Sequence, residues 1–342
     1  MTAVASQVPS AQTSTQRLPF AKAITEGLRA AMRRDEKVML MGEDIGALGG
    51  VFRVTEGLQA EFGAHRVVDT PLAESGIVGT ALGLSMRGYR PVVEIQFDGF
   101  IFPAYDQITT QLAKMHYRSQ GRLSVPVVIR VPFGGGIGAV EHHSESPEAL
   151  FAHTPGLRVV SPGSPQDAFV MIQEAIASPD PVLFFEPKGR YWEKGPVDLG
   201  VEPAGSADTL NRAVVARPGT DVTVVAYGPT VATALRSAEA AAQEGVSLEV
   251  IDVRAVSPLD TATIVQSVKR TGRCVVVHEA VTYLGLGAEI AARVTEQCFY
   301  ELEAPVLRVG GFHHPYPVAK LEHEYLPSLD RVLDAVDRVL AH

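Results

Sequence analysis

Residues 67–97 read VVDTPLAESGIVGTALGLSMRGYRPVVEIQF. The stretch opens on a short apolar strand end, Val67 to Asp69, and closes on a second strand, Pro91 to Phe97. Between them, residues 74–87 place apolar side chains three and four apart, the spacing of a helix with a buried face. A strand, a helix and a strand in succession form the repeating unit of a parallel sheet with helices on both faces. The alternation extends in both directions. Upstream, a helical stretch over 19–33 leads into the apolar run Val38 to Met41. Downstream come a helix over 103–119, strands at Pro126 to Val131 and Val159-Val160, a helix over 164–178 and a strand at Pro181 to Phe185.

From Lys188 to Asn211 the period is lost among Gly189, Gly195, Pro196, Gly200, Pro203 and Gly205, so residues 191–211 read as a linker. The alternation then restarts. Strands are expected at Val222 to Ala226, Ser247 to Ile251, Arg273 to Val277 and Pro305 to Val309, with helices over 230–243, 259–271 and 285–297. The expectation is a first α/β domain over 17–190 and a smaller one over 212–342. Residues 1–16, rich in Ser, Thr, Gln and Ala and lacking Lys and Arg, read as a disordered tail and not a signal peptide.

The chain has 342 residues, more than one core usually supports, which agrees with two domains. Thirty basic against 39 acidic side chains give a net charge of −9, a poor basis for neutralising nucleic-acid phosphates. No uncharged apolar run reaches the roughly 18–20 residues of a membrane span. Two cysteines, Cys274 and Cys298, suit neither a disulfide scaffold nor a cysteine zinc site, and fit a reducing cytoplasm.

Ligands of open parallel sheets sit beyond the carboxyl ends of the strands. Four segments occupy that position: Gly42-Glu43-Asp44, Thr70 to Gly76, Gln96 to Phe100, and the turn from Phe133 to Pro147. Glu74 starts a helix, where a carboxylate complements the helix dipole. The same residue, if buried, is an acid with a raised pKa, able to hold or give a proton. His142 and His143 precede Ser146-Pro147-Glu148, which reads as a helix start. Adjacent residues do not face the same way, so the pair is a poor metal site. Each is either a surface histidine or one imidazole delivered by a loop. Gly134-Gly135-Gly136-Ile137-Gly138 matches neither a dinucleotide fingerprint nor a phosphate loop and reads as a flexible loop. His278, His313 and His314 lack acidic or cysteine companions at metal spacing.

Several ordered motifs carry a family resemblance. They are MLMGED at 39–44, the 67–97 stretch, FPAYDQI at 102–108, VEHHSESPEALFAHTPGLRVVSP at 140–162 and DPVLFFEPK at 180–188. EVIDVRAVSPLD at 249–260, VVVHEA at 275–280 and LEAPVLRVGG at 302–311 follow. From about residue 17 to its end the chain resembles the β subunit of the thiamine-diphosphate-dependent decarboxylase of 2-oxo acid dehydrogenase complexes. FPAYDQI and QCFYELEAP look closer to the branched-chain type, while the GGG loop and the EAPVLRV block are shared with bacterial pyruvate-type subunits, so a pyruvate or acetoin dehydrogenase β subunit is the alternative within the family.

The resemblance implies a transketolase-like pyrimidine-binding domain followed by a transketolase C-terminal-type domain. It implies thiamine diphosphate shared with an α subunit in a heterotetramer of two α and two β chains. Magnesium would be held by the α subunit, because this chain has no Gly-Asp-Gly and its single Asn is Asn211. Further implied partners are the acyltransferase core, its lipoyl domain and a small 2-oxo acid. Glu74 matches the glutamate that hydrogen-bonds the cofactor's aminopyrimidine ring, and Leu72 a residue that packs on it. Gln96 and Phe100 match other pocket positions, with Phe100 where branched-chain relatives carry Tyr. His143 aligns with the histidine that donates a proton or stabilises charge when the acyl group passes to lipoamide; Glu141 beside it adds a carboxylate. Glu43 resembles an acid in the proton path between two cofactor sites. Backbone carbonyls near Val125, Val127, Ala175 and Ser178, with Asp180, form a candidate potassium site. Two other classes compete. One is a non-catalytic subunit that docks the acyltransferase core through its acidic C-terminal domain. The other is an independent NAD(P) oxidoreductase, which would need a Gly-rich fingerprint where this chain has GEDIGALGG.

Overall fold

Three neighbouring strands set the frame of the first domain, and each carries one buried charged residue among apolar ones. In the computed structural model, which describes residues 15–201 and 209–342, they are β4 (Arg90–Glu94), β5 (Val128–Phe133) and β7 (Val182–Pro187). Buried on both faces, such strands need helices above and below. The first domain supplies them in the order β1 (Thr15–Pro19), α1 (Phe20–Arg34), β2 (Val38–Gly42), α2 (Leu58–Phe62), β3 (Val67–Asp69), α3 (Glu74–Met86), β4, α4 (Ala113–Arg118), β5, α5 (Glu148–Ala152), β6 (Arg158–Val160), α6 (Pro165–Ala177), β7 and β8 (Lys194–Asp198). The second domain runs β9 (Val214–Arg217), β10 (Val222–Ala226), α7 (Thr230–Gln243), β11 (Leu248–Asp252), β12 (Ala255–Ser257), α8 (Thr261–Thr271), β13 (Cys274–Val281), α9 (Leu286–Cys298), β14 (Leu307–Gly311), α10 (Glu322–Tyr325) and α11 (Leu329–Leu340).

The large sheet has seven strands in the order β12-β6-β7-β5-β4-β2-β3, and the second sheet five in the order β14-β13-β10-β11-β9. Within each, only the edge strands β12 and β9 run antiparallel. The expected α/β architecture with two sheets is therefore present. The sequence pattern does not announce β12, which leaves the second domain's chain to pair with β6 of the first sheet. Arg254, in the left-handed region at φ 58°, turns the chain towards it. One apolar core passes between the domains, joining Val131 and Phe133 to Val225, Tyr227 and Ile251. Helices α1 and α6 cross closely on the other face, where a Cβ on Gly27 would stand 2.3 Å from Ile172 Cγ2.

Two boundaries differ from expectation. Thr15 and Gln16, expected in the tail, begin β1, which pairs antiparallel with β8. Residues 191–211, expected as a linker, contain that same β8, the fully buried Tyr191 and the buried Leu210. Gly195 and Pro196 lie in a short ribbon away from the large sheets, where a missing backbone donor is tolerated. The rest of the tail, 1–14, and positions 202–208 of the linker lie outside the described residues. No helix among the described residues is long and apolar enough to cross a membrane.

Candidate active site

The sequence-marked residues follow the carboxyl ends of β2, β3, β4 and β5. β2 and β4 pair in parallel with Gly42 opposite Glu94. A Cβ on Gly42 would stand 3.0 Å from the Glu94 carbonyl, so the glycine lets the two strand ends approach. Glu43 follows at once and is buried, 8% exposed. Gln96 reaches across: its Nε2 donates to the Glu43 carbonyl at 2.7 Å and to Glu94 Oε1 at 3.3 Å. The Oε1 of Glu43 has no hydrogen-bond partner among the described residues. Burial pushes the Glu43 carboxyl up, and the charges of Glu74, Asp44 and Glu94 add to it.

Glu74 opens α3, where no side chain caps the helix. It is half-buried, and Leu72 before it is 84% exposed. Glu74 is thus only partly withdrawn from water in this chain, and Glu43 is more deeply buried than it. His143 lies in a single tight turn, Glu141–His143. Its ring meets Phe97 edge-on at 5.2 Å and Phe100 at 5.6 Å, and its Nδ1 lies 2.9 Å from the His142 carbonyl. Phe100 thus stacks the histidine loop instead of standing free, and touches His142 edge-on at 4.8 Å. Glu43, Glu74, Gln96, Phe100 and His143 therefore border one region, while Leu72, two residues before Glu74, is exposed.

Sequence reading missed what holds this region. Asp98, fully buried, accepts from Lys188 Nζ at 2.7 Å and from the Glu145 amide at 2.8 Å, which pins the loop after His143. Burial pushes Asp98 up and Lys188 down, and their attraction opposes both shifts. The glycine loop is not free either. Gly135 N–H donates to Glu279 at 3.0 Å, and the Gly136 and Gly138 amides donate to Glu322 at 2.9 and 3.0 Å. Successive amides in such a turn make a concave anion cradle, here filled by the second domain's own carboxylates. Glu148 accepts from Tyr227 at 2.5 Å, and burial pushes its carboxyl up to about 7. A cleft of about 310 Å³ lies behind the histidine loop, walled by Phe102, Glu145, Glu279, Tyr283, Tyr316 and Tyr325.

The candidate potassium stretch is a compact turn. Ser178 Oγ donates to the Asp180 carbonyl at 3.1 Å, and Arg90 Nη1 donates to the carbonyls of Ile176 and Ser178 at 2.8 and 3.4 Å. The Val125 amide is spent on the Pro179 carbonyl. A guanidinium at the Ser178 carbonyl opposes a cation there. No group of three or more His, Cys, Asp or Glu able to hold a metal ion occurs among the described residues. His278 is buried with Nδ1 2.9 Å from the Ala280 carbonyl, and burial pushes it down to about 4.

Two mostly parallel sheets, with acids and a loop histidine at the strand ends of the first, agree with the transketolase class that the family comparisons show. The transketolase pyrimidine-binding domain matches residues 16–194 and the transketolase C-terminal domain residues 211–332. A solved split-gene transketolase, described as an inactive β4 tetramer, superposes with a TM-score of 0.73 over 95% of this chain and 99% of its own; at 24% identity it supports the fold.

The sequence relatives are more specific. The pyruvate dehydrogenase E1 component subunit beta of Leifsonia xyli subsp. xyli is 62% identical, with 96% of each chain covered. The 3-methyl-2-oxobutanoate dehydrogenase subunit beta of Mycobacterium tuberculosis is 55% identical over 95% of this chain and 93% of its own. The 2-oxoisovalerate dehydrogenase subunit beta of Pseudomonas aeruginosa is 43% identical over 99% of each. The chain belongs to the β subunits of the decarboxylating component of 2-oxo acid dehydrogenases.

Proposed function

We propose that this chain supplies half of a thiamine-diphosphate site and works with an α subunit to decarboxylate branched-chain 2-oxo acids, passing the acyl group to the lipoyl group of an acyltransferase core. One observation carries the reading: Glu43 keeps a buried, unpartnered oxygen beside a half-buried Glu74, at a face whose rim residue Leu72 is 84% exposed. A polar recess next to an uncovered apolar rim is what half of a shared site presents before its partner closes it. The residues fit the pyrimidine end of the cofactor. Glu74 would hydrogen-bond the ring, Leu72 and Phe100 would pack on it, and Gln96 would fix the recess wall. The cofactor, when bound, supplies the nucleophilic carbon and the electron sink for loss of carbon dioxide. His143 would deliver a proton during acyl transfer, and its ring is already oriented by Phe97 and Phe100. Glu43 would hold a proton behind Glu74. Magnesium and the diphosphate would lie in the α subunit, and the enzyme would act in the cytoplasm.

The preference for branched acids rests on the FPAYDQI stretch and on the two relatives named for branched-chain substrates. A second reading, pyruvate, is favoured by the 62% identical relative. Decarboxylation with an artificial electron acceptor separates them. The chain is assayed alone and co-expressed with an α partner, with thiamine diphosphate and magnesium, on 3-methyl-2-oxobutanoate and on pyruvate. Activity in the pair only, with the branched acid preferred, is the expected result. Preference for pyruvate selects the second reading. Full activity from this chain alone overturns the shared site, and an inactive pair that still binds the core leaves a docking subunit.

A further inference from the structure

Three adjacent strands each carry one charge into the middle of the first sheet: Glu94 on β4, Arg130 on β5 and Glu186 on β7. β4 and β5 pair with Glu94 directly opposite Arg130. Arg130 is 1% exposed. It donates Nη1 to Glu94 Oε2 at 2.5 Å, and Nε and Nη2 to the two oxygens of Glu186 at 2.6 and 2.9 Å. Tyr191 adds a third donor to Glu186. Two carboxyl groups share one guanidinium, so the buried cluster holds more acids than bases. Glu186 is saturated by its fork and the tyrosine. Glu94 is held through one oxygen and turns the other, Oε1, towards Gln96. Gln96 lies just past the end of β4, at a bend, and its amide meets Glu94 Oε1 there at 3.3 Å.

We infer that Glu94 is a positioning residue: gripped by Arg130, it holds the Gln96 amide against the Glu43 carbonyl and keeps a fixed carboxylate in the wall of the recess where Glu43 sits. The inference rests on the proposed role of Glu43 in proton handling. Burial acts most on Glu43, and the charged groups acting on it are, in falling order, Glu74 of α3, Asp44 of its own turn and Glu94 of β4, all three acids. Each favours the protonated form. Glu94 differs from the others in being locked, since an arginine with buried partners cannot swing away.

The test is made on the complex with its α partner. The carboxylic-acid infrared band of Glu43, identified by its loss in Glu43→Gln, is titrated alongside the pH profile of kcat. In Glu94→Gln the midpoint should fall by about half to one pH unit, since one nearby negative charge is gone. The matching limb of kcat should move with it while KM holds. Glu186→Gln loosens the same arginine from the far side and should move the midpoint less. Glu94→Asp keeps the charge but draws it back, and should lower the midpoint in the same direction by a smaller amount; it decides the matter if Glu94→Gln does not fold. An unmoved midpoint in folded Glu94 variants, or an equal shift in Glu186→Gln, overturns the inference. The infrared midpoint does not depend on turnover. An inactive complex with the expected shift would sink the proposed reaction and leave the role of Glu94 standing.

Discussion

Glu94 ends strand β4 and Glu74 opens helix α3, which leads into it, and the two stand in opposite surroundings. Glu94 is 6% exposed and is gripped by an arginine that itself sees no water. Glu74 has no ion pair among the described residues and lies half-buried beside an exposed leucine. The first acid is complete within this chain, and the second awaits something from outside. A buried charge has to be paired by its own fold, because an uncompensated one would cost several kcal/mol. An acid that serves a shared site can stay open until a partner covers it. Stability and function should therefore separate along this line, one set of substitutions breaking the fold and another only the chemistry.

The largest effect belongs to the closed side. Arg130→Met leaves Glu94 and Glu186 facing each other without a cation, and should destabilise the chain by about 3–5 kcal/mol. Urea denaturation measures it; a loss under about 1 kcal/mol would mean that the two acids are not charged in the fold. The open side comes next. Glu74→Gln should lower decarboxylation by the α-paired enzyme at least about 100-fold, the usual range for removing an acid–base group. The same substitution should leave stability within about 0.5 kcal/mol, as for an uncoupled surface change. Unchanged turnover would remove Glu74 from the site, and a large stability loss would erase the contrast with Glu94.

The open side is legible in sequence, and the closed side is not. Glu74 is marked by its place at a helix start after a strand, and α3 over Glu74–Met86 ends one residue from the expected 74–87. Glu43 and His143 are marked by strand-end and loop position. Glu94, Arg130 and Glu186 lie inside apolar runs that look like plain strands. Their signal is one charge per run in PVVEIQF, PVVIRV and PVLFFEP, and it pairs up only once the strand order is known. Other misses have similar causes. The helix expected over 103–119 is regular only at Ala113–Arg118, after a tight turn over Asp98–Ala104 that contains Pro103 and a wide turn over Gln107–Leu112. β12 is three residues long and exists through a tertiary partner, which no local period records. The glycine loop looks flexible in sequence because the carboxylates that clamp it, Glu279 and Glu322, lie more than a hundred residues away along the chain.

A pH scan extends the comparison to the seam between the domains. Glu148 is 2% exposed, hydrogen-bonded to Tyr227, and held up to about 7 by burial. Its ordinary value is 4.5. The folded state therefore keeps a proton that the unfolded state gives up between those values. The contribution of this protonated carboxyl is fully present below pH 4.5 and is lost as the pH rises to about 7, above which the curve levels off. The loss is on the order of 1–3 kcal/mol. Glu279, also held up to about 7 by burial, acts in the same direction. Glu148→Gln should flatten the curve in that window, since the amide still accepts from Tyr227 and has no proton to lose. A curve that rises across the window in the wild type, or one unchanged in the variant, would show that Glu148 is ionised in the fold.

The smallest effect tests the rim. Leu72 is 84% exposed, so Leu72→Ala removes no packing from the isolated chain and should leave its unfolding free energy within about 0.5 kcal/mol. An exposed leucine at the edge of an acidic recess gains its contacts only when another surface arrives. In the complex the same truncation should weaken α-subunit association or thiamine diphosphate binding by about 1 kcal/mol, roughly fivefold in Kd, the scale of an ordinary interface side chain. Titration calorimetry of cofactor into the complex, and sedimentation of the two subunits, read the two losses separately. A loss confined to the cofactor places Leu72 against the pyrimidine, and a loss confined to assembly places it in the subunit seam. Wild-type values in both would mean that the open face carrying Glu74 is not the face the partner covers.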